Sequence, residues 1–189
     1  MIFFLLLLAL MFLSVVLQHF LGPLPEFGAR LLLMPIIMFY GALALPNWGM
    51  LALAFAGGLM TDALETQWTA MPGPGTEGSV EIAMGWSIVL YAALGAVMSG
   101  FRPLFLRGRW EIHCLLTGVC TSLIVLVQYL MITIRREPVV FVFNREVWWR
   151  IGGAGLAAAL LAPLFFFALN YLAVLVGYDP QPDRKRRRI

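Results

Sequence analysis

The first candidate for chemistry in this chain is an aspartate inside an apolar segment. Asp62 lies in GGLMTDALET, residues 57–66, where two glycines and an apolar run surround the carboxylate. A carboxylate at the centre of a bilayer costs about 2.5 to 3.5 kcal/mol, and it costs less near the interface. Asp62 could bind a loop amide or pair with Arg30, it could relay a proton or an ion, or it could hold the loop 66–80 for a partner.

The spacing around Asp62 favours the structural role. Ala54, Gly58 and Asp62 are four residues apart, so they share one stripe of a helix. Small residues at this spacing let a second helix approach closely, and Asp62 should therefore face protein rather than lipid. Transport sites need several polar groups that converge at the midplane, which makes a relay the weaker hypothesis.

Other reactive side chains do not form a recognisable site. His113 and Cys114 are adjacent, but a metal site of nitrogen and sulfur ligands needs three or four donors at characteristic spacings. Cys114 and Cys120 are six residues apart and fall on different faces of a helix, so we expect no disulfide. The sequence contains no phosphate-binding loop, zinc-protease motif or nucleophile elbow. We therefore predict no catalytic residue, no metal and no cofactor.

Small residues at helical spacing recur in two later segments. They are expected to mediate close helix contacts, either within the fold or with another membrane protein. These candidates for helix contacts are Ala92, Ala96 and Gly100 in one helix, and Gly155 and Ala159 in another.

The elements that position these residues follow from the composition. The 189-residue chain is 61% hydrophobic and 12% charged, with a mean hydropathy of +0.89. Apolar runs of about 20 residues are long enough to cross a bilayer as helices. We predict an all-α, polytopic membrane protein whose single domain, residues 1–178, has six transmembrane helices. These are expected at about 2–21, 29–45, 48–65, 81–101, 112–134 and 151–178.

The positive charges predict the orientation. Residues 184–188, four arginines and a lysine, follow the last helix, and three more arginines lie in the segment 102–110. The positive-inside rule then puts both termini in the cytoplasm.

The segment 179–189 is predicted to be a basic cytoplasmic tail that contacts anionic lipid or docks an acidic partner. Because the basic pI comes from this tail, we predict no nucleic-acid binding. The first helix lacks a basic start and a cleavage site, and we expect it to be retained.

Three ordered motifs carry a family resemblance. The second predicted helix ends in FYGALALP, residues 39–46, and the third contains AFAGGLMTDAL, residues 54–64. The last helix is preceded by Trp148 and Trp149 and contains Pro163. Over about residues 28–172 this order resembles the rod shape-determining MreD family.

The resemblance implies a non-enzymatic component of the bacterial inner membrane that takes part in cell elongation and cell shape. It implies an MreC-like partner and, through it, a RodA-type glycosyltransferase, a penicillin-binding transpeptidase and the MreB filament. It also implies a fold similar to the substrate-binding subunits of energy-coupling-factor vitamin transporters. Such a vitamin-binding subunit is the alternative function, and a small proton-coupled transporter is a third hypothesis. In the favoured hypothesis the small-residue stripes and the tryptophan pair contact the partner.

Overall fold

The structure is a computed structural model that describes residues 1–21, 32–65, 85–106, 110–134 and 144–178. Within these ranges the chain is helical and contains no strand, which confirms the all-α class. The helices are α1 (Ile2–Leu21), α2 (Met34–Ala44), α3 (Asn47–Glu65), α4 (Trp86–Gly100), α5 (Arg102–Leu106), α6 (Trp110–Ile134) and α7 (Arg145–Leu175).

Several helix boundaries differ from the predicted ones. The last helix begins at Arg145 rather than at residue 151, and the short helix α5 occupies a segment that was expected to be a loop. Helix α4 begins at Trp86, after Gly85, whose φ of 104° is in the left-handed region that favours glycine. Arg30, the whole loop 66–80, the segment 135–143 and the tail 179–189 lie outside the described residues.

Pro35 lies at the start of the second helix and not inside it, where the predicted span 29–45 would put it. Helix α2 starts at Met34, so Pro35 lies in its first turn. A proline is tolerated there because the amides of the first turn have no acceptor within the helix. Pro35 therefore belongs to the first turn of this helix and interrupts no helical hydrogen bond.

Helix α2 is the centre of the bundle. Each of its 11 residues is buried, and α1, α3, α4, α6 and α7 all contact it. At 1.5 Å per residue its length is about 16 Å, roughly half the hydrocarbon thickness of a bilayer. The described part of this helix is thus too short to cross a bilayer alone, and its end groups need partners from within the protein.

The long helix α7 has two parts with different neighbours. Gly155, in its amino-terminal part, packs against Gly118 of α6. Beyond Pro163, the ring of Phe166 packs on Tyr40 of α2, with centroids 5.6 Å apart. Helix α7 therefore links the α6–α7 hairpin to the central helix.

Two helical segments are long and apolar enough to cross a membrane, namely Glu111–Ile134 and Val147–Leu175. Three shorter apolar helical segments occur at Ile2–Gln18, Met34–Ala44 and Trp86–Gly100. The six predicted spans therefore remain a prediction.

Candidate functional site

Asp62 caps the helix that follows it. Its side chain is buried, and its Oδ2 atom accepts a hydrogen bond of 2.6 Å from the amide of Gly85. Gly85 directly precedes α4, so the carboxylate faces the amino terminus of that helix. The helix dipole and the free amides stabilise a negative charge at this position. This contact joins α3 to α4 across a segment of more than twenty residues.

Gly58 brings the same two helices together one turn away. A Cβ atom built on Gly58 would lie 2.5 Å from the backbone nitrogen of Ile88 and 2.7 Å from its Cγ1. Real Cβ atoms do not approach a backbone this closely, so only glycine fits. Gly58 and Asp62 thus act on the same contact between α3 and α4.

Gln18 caps the amino terminus of the central helix α2, as Asp62 caps that of α4. When its amide is oriented to satisfy the hydrogen bonds, its oxygen accepts from the amides of Leu33 and Met34, at 2.5 and 2.6 Å. These amides lie at the start of α2 and have no acceptor in the helix itself. This role of Gln18 is not apparent from the sequence, where its only signal is a polar side chain near the end of an apolar helix.

The opposite end of α2 is held by two side chains. The carbonyl oxygen of Ala44 accepts a hydrogen bond of 2.9 Å from the Tyr178 hydroxyl and one of 3.3 Å from Arg102 Nη2. Burial raises the pKa of Tyr178, and the positive charge of Arg102 opposes that rise. Neither donor was identified from sequence, because the acceptor is a backbone atom.

Aromatic rings surround this end of α2. The ring of Tyr178 stacks on Phe3 with centroids 4.6 Å apart and an interplanar angle of 12°. Phe3 also packs edge-on against Tyr40, at 6.5 Å. Within the described residues the Tyr40 hydroxyl has no hydrogen-bond partner, although the side chain is fully buried. The rings therefore tie α1 and the end of α7 to the central helix.

Small residues make a second close contact, between α6 and α7. A Cβ atom on Gly118 would lie 2.7 Å from the Gly155 carbonyl oxygen and 2.8 Å from the Ala159 Cβ. One turn further along α6, the Ser122 hydroxyl donates to the Ile151 carbonyl at 3.2 Å. Gly155 and Ala159 are thus used within the fold, which was one of the two roles considered for them.

The small residues of α4 do not lie in a contact between helices as Gly155 and Ala159 do. Ala92 is half-buried, whereas Ala96 and Gly100 are exposed, and a Cβ atom on Gly100 would meet nothing within 4 Å. Helix α4 instead packs inward through Ser87, Tyr91, Leu94, Gly95 and Met98. We call the surface with the half-buried Ala92 and the exposed Ala96 and Gly100 the α4 face.

Trp148 and Trp149 are the fourth and fifth residues of α7 and are 61% and 48% exposed. They belong to the helix rather than to the connection before it. Among the described residues, no contact joins these tryptophans to the α4 face.

Polar side chains on α6 point inward. His113, Thr117 and Thr121 are four residues apart and fully buried, and the Thr121 hydroxyl donates to the Thr117 carbonyl at 2.8 Å. Among the described residues, no group of three or more histidine, cysteine or acidic side chains is arranged to hold a metal ion. Cys114 and Cys120 are free thiols.

Comparison of the chain with models of protein families, with curated proteins and with solved structures gave no match.

Proposed function

We propose that this chain is a multi-pass membrane scaffold of the bacterial cell-elongation machinery, with the MreD-like role that its motifs suggest. It would lie in the cytoplasmic membrane, with both termini in the cytoplasm, and bind an MreC-like protein. Through that protein it would contact the RodA-type glycosyltransferase, the transpeptidase and the MreB filament.

The observation that carries the membrane part of the proposal is the distribution of apolar and polar side chains. Leu156, Leu160 and Leu164 form a stripe on α7 in which each side chain is 63% to 69% exposed. Similar exposed apolar stripes run along α3 and α6, while α6 buries its histidine and threonines. Soluble monomers rarely expose apolar surface this extensively, whereas lipid is a suitable solvent for it.

The proposed scaffold role is supported by the ordered motifs and by the helix surface that is not used for packing within the protein. The α3–α4 and α6–α7 contacts use Gly58, Gly118 and Gly155 internally. On the α4 face Ala96 and Gly100 remain exposed, and their small size would let a partner's transmembrane helix approach closely. We therefore place the main contact with the partner on this face, and a second contact at Trp148 and Trp149.

Gentle detergent extraction of the tagged full-length protein, followed by identification of the proteins that co-purify, tests this function. We expect an MreC-like protein that spans the membrane once. Nanomolar binding of a vitamin by the isolated protein, without such a partner, would instead support the alternative of a vitamin-uptake subunit.

A further inference from the structure

Helices α3 and α4 form a pair that is held together by backbone contacts. Gly58 of α3 lies against the backbone of Ile88 in α4, and the Asp62 carboxylate accepts a hydrogen bond from the Gly85 amide. The contact at Gly58 cannot yield by rotation of a side chain, because the atoms that it meets include a helix backbone. The α3–α4 pair therefore behaves as one rigid body.

The same pair meets α1 and α2 through the ends of methionine side chains. A Cβ atom on Gly57 of α3 would touch the methyl carbon of Met34 and would lie 2.9 Å from that of Met11. One on Gly95 of α4 would lie 2.7 Å from the methyl carbon of Met38. We call these three buried side chains, Met11, Met34 and Met38, the methionine layer. Because methionine is unbranched and turns about three single bonds, its end can leave a glycine hollow and refill it.

The turn between α2 and α3 fixes one end of the pair. Leu45 and Pro46 alone separate the two helices, and the Leu45 amide donates to the Gly41 carbonyl at 2.8 Å. The branched end of Leu53 in α3 fills the space beside Gly41 of α2. A leucine side chain has less rotamer freedom than a methionine, so this contact adapts less readily than the methionine layer does. The α3–α4 pair is thus anchored at the turn and adjustable beyond it.

We propose that the α3–α4 pair rocks as a rigid body about the α2–α3 turn, over the methionine layer. Gly57 lies ten residues after Asn47, the first residue of α3, so the layer begins about 15 Å along the helix from the turn. At that distance a small rotation at the turn becomes a displacement, which the methionine ends follow without opening a cavity. Rigid elements that move about a short connection in this way are a common switching device.

The movement would change how the chain presents its proposed binding surface. Ala96 and Gly100 belong to α4, so each tilt of the α3–α4 pair offers the α4 face to a partner helix at a different angle. A bound partner would then select one tilt. This use of the movement rests on the proposed function, whereas the movement itself does not.

Methyl relaxation-dispersion NMR of the full-length protein in lipid nanodiscs, with isotope-labelled methionine and isoleucine methyl groups, tests the movement. Collective motions of helices occur on the microsecond to millisecond timescale that this method detects. We expect exchange at the methyl groups of Met11, Met34 and Met38, with one common rate because one rigid body moves. Ile124 of α6, which is also buried, is the control and should show no exchange at that rate. Absence of exchange in the methionine layer, three unrelated rates, or the same exchange at Ile124 would overturn the proposal.

A stiffer layer gives a second readout. Met34→Leu combined with Met38→Leu keeps nearly the same volume and is tolerated by a packed core. The exchange rate at Met11 should fall about fivefold in this variant, since leucine has less rotamer freedom than methionine. Met131→Leu, at a half-buried site on α6, should leave the rate unchanged. An unchanged rate in the double variant would contradict the rocking movement, whereas failure to capture an MreC-like protein would overturn only the proposed function.

Discussion

Gly58 of α3 lies so close to Ile88 of α4 that a methyl group added to the glycine would be 2.5 Å from the Ile88 backbone nitrogen. The neighbouring atoms belong to a helix backbone, which cannot move aside as a flexible side chain could. The position of α4 on α3 therefore depends on the absence of a side chain at residue 58.

Gly58→Ala is expected to destabilise the fold by about 1 to 3 kcal/mol, because it overpacks this contact. Gly100→Ala is the control, since a Cβ atom there meets nothing within 4 Å. The measurement is the thermal unfolding midpoint of the purified proteins in detergent. Equal midpoints for the two variants would mean that α3 and α4 do not approach as closely as described.

The Asp62 cap predicts a graded response to substitution. Asp62→Asn keeps an oxygen acceptor for the Gly85 amide and should cost less than about 1 kcal/mol, whereas Asp62→Ala should cost about 1 to 2 kcal/mol. Glu111→Gln, an exposed site in the first turn of α6, controls for loss of a negative charge. The yield of folded protein and its unfolding midpoint report the effect. If Asp62→Asn lost as much folded protein as Gly58→Ala, the charge itself would be essential.

Two glycines of α7 form a matched pair. Gly155→Ala places a methyl group against Ser122 and 2.6 Å from the Gly118 carbonyl oxygen, so a loss of about 1 to 3 kcal/mol is expected. Gly152→Ala, three residues earlier, enters open space and should be neutral or stabilise the helix by up to about 1 kcal/mol. Unfolding midpoints of the two variants in the same detergent provide the comparison. A stabilising Gly155→Ala would contradict the α6–α7 contact.

The half-buried Tyr178 and the buried Tyr40 should respond in opposite ways to loss of their hydroxyl groups. Tyr178→Phe removes the hydrogen bond to Ala44 but keeps the stack on Phe3, and it should cost about 1 kcal/mol. Tyr40→Phe removes a buried hydroxyl that has no partner among the described residues, so it should be neutral or stabilising. Tyr171→Phe, at an exposed site on α7, is the control for the substitution itself. The order of the three unfolding midpoints checks this prediction.

The sequence predicts the helical class well because apolar runs are a strong signal, and it also points to Asp62 and Gly58 through their spacing. It does not reveal α5, since the five residues of this helix are too few to show a helical period. The start of α7 was placed too late because Arg145, Arg150 and the tryptophans indicate a membrane interface, yet a helix can continue through one.

The contacts at the ends of α2 could not be predicted at all. Gln18, Arg102 and Tyr178 bind backbone atoms of residues that are distant in sequence. Such pairings carry no residue pattern, because every residue offers the same carbonyl and amide groups. Only the arrangement of the helices makes these three side chains recognisable as caps.

The central claim, that this chain binds a membrane partner through the α4 face, is tested most directly by capture of that partner. The measurement is the amount of MreC-like protein that co-purifies with wild type, with Ala96→Leu, and with Ala168→Leu at an exposed site on α7. We predict that Ala96→Leu lowers capture at least tenfold at equal protein yield, while Ala168→Leu matches wild type. Capture by Ala96→Leu at the wild-type level, or no MreC-like protein with any of the three, would contradict the account.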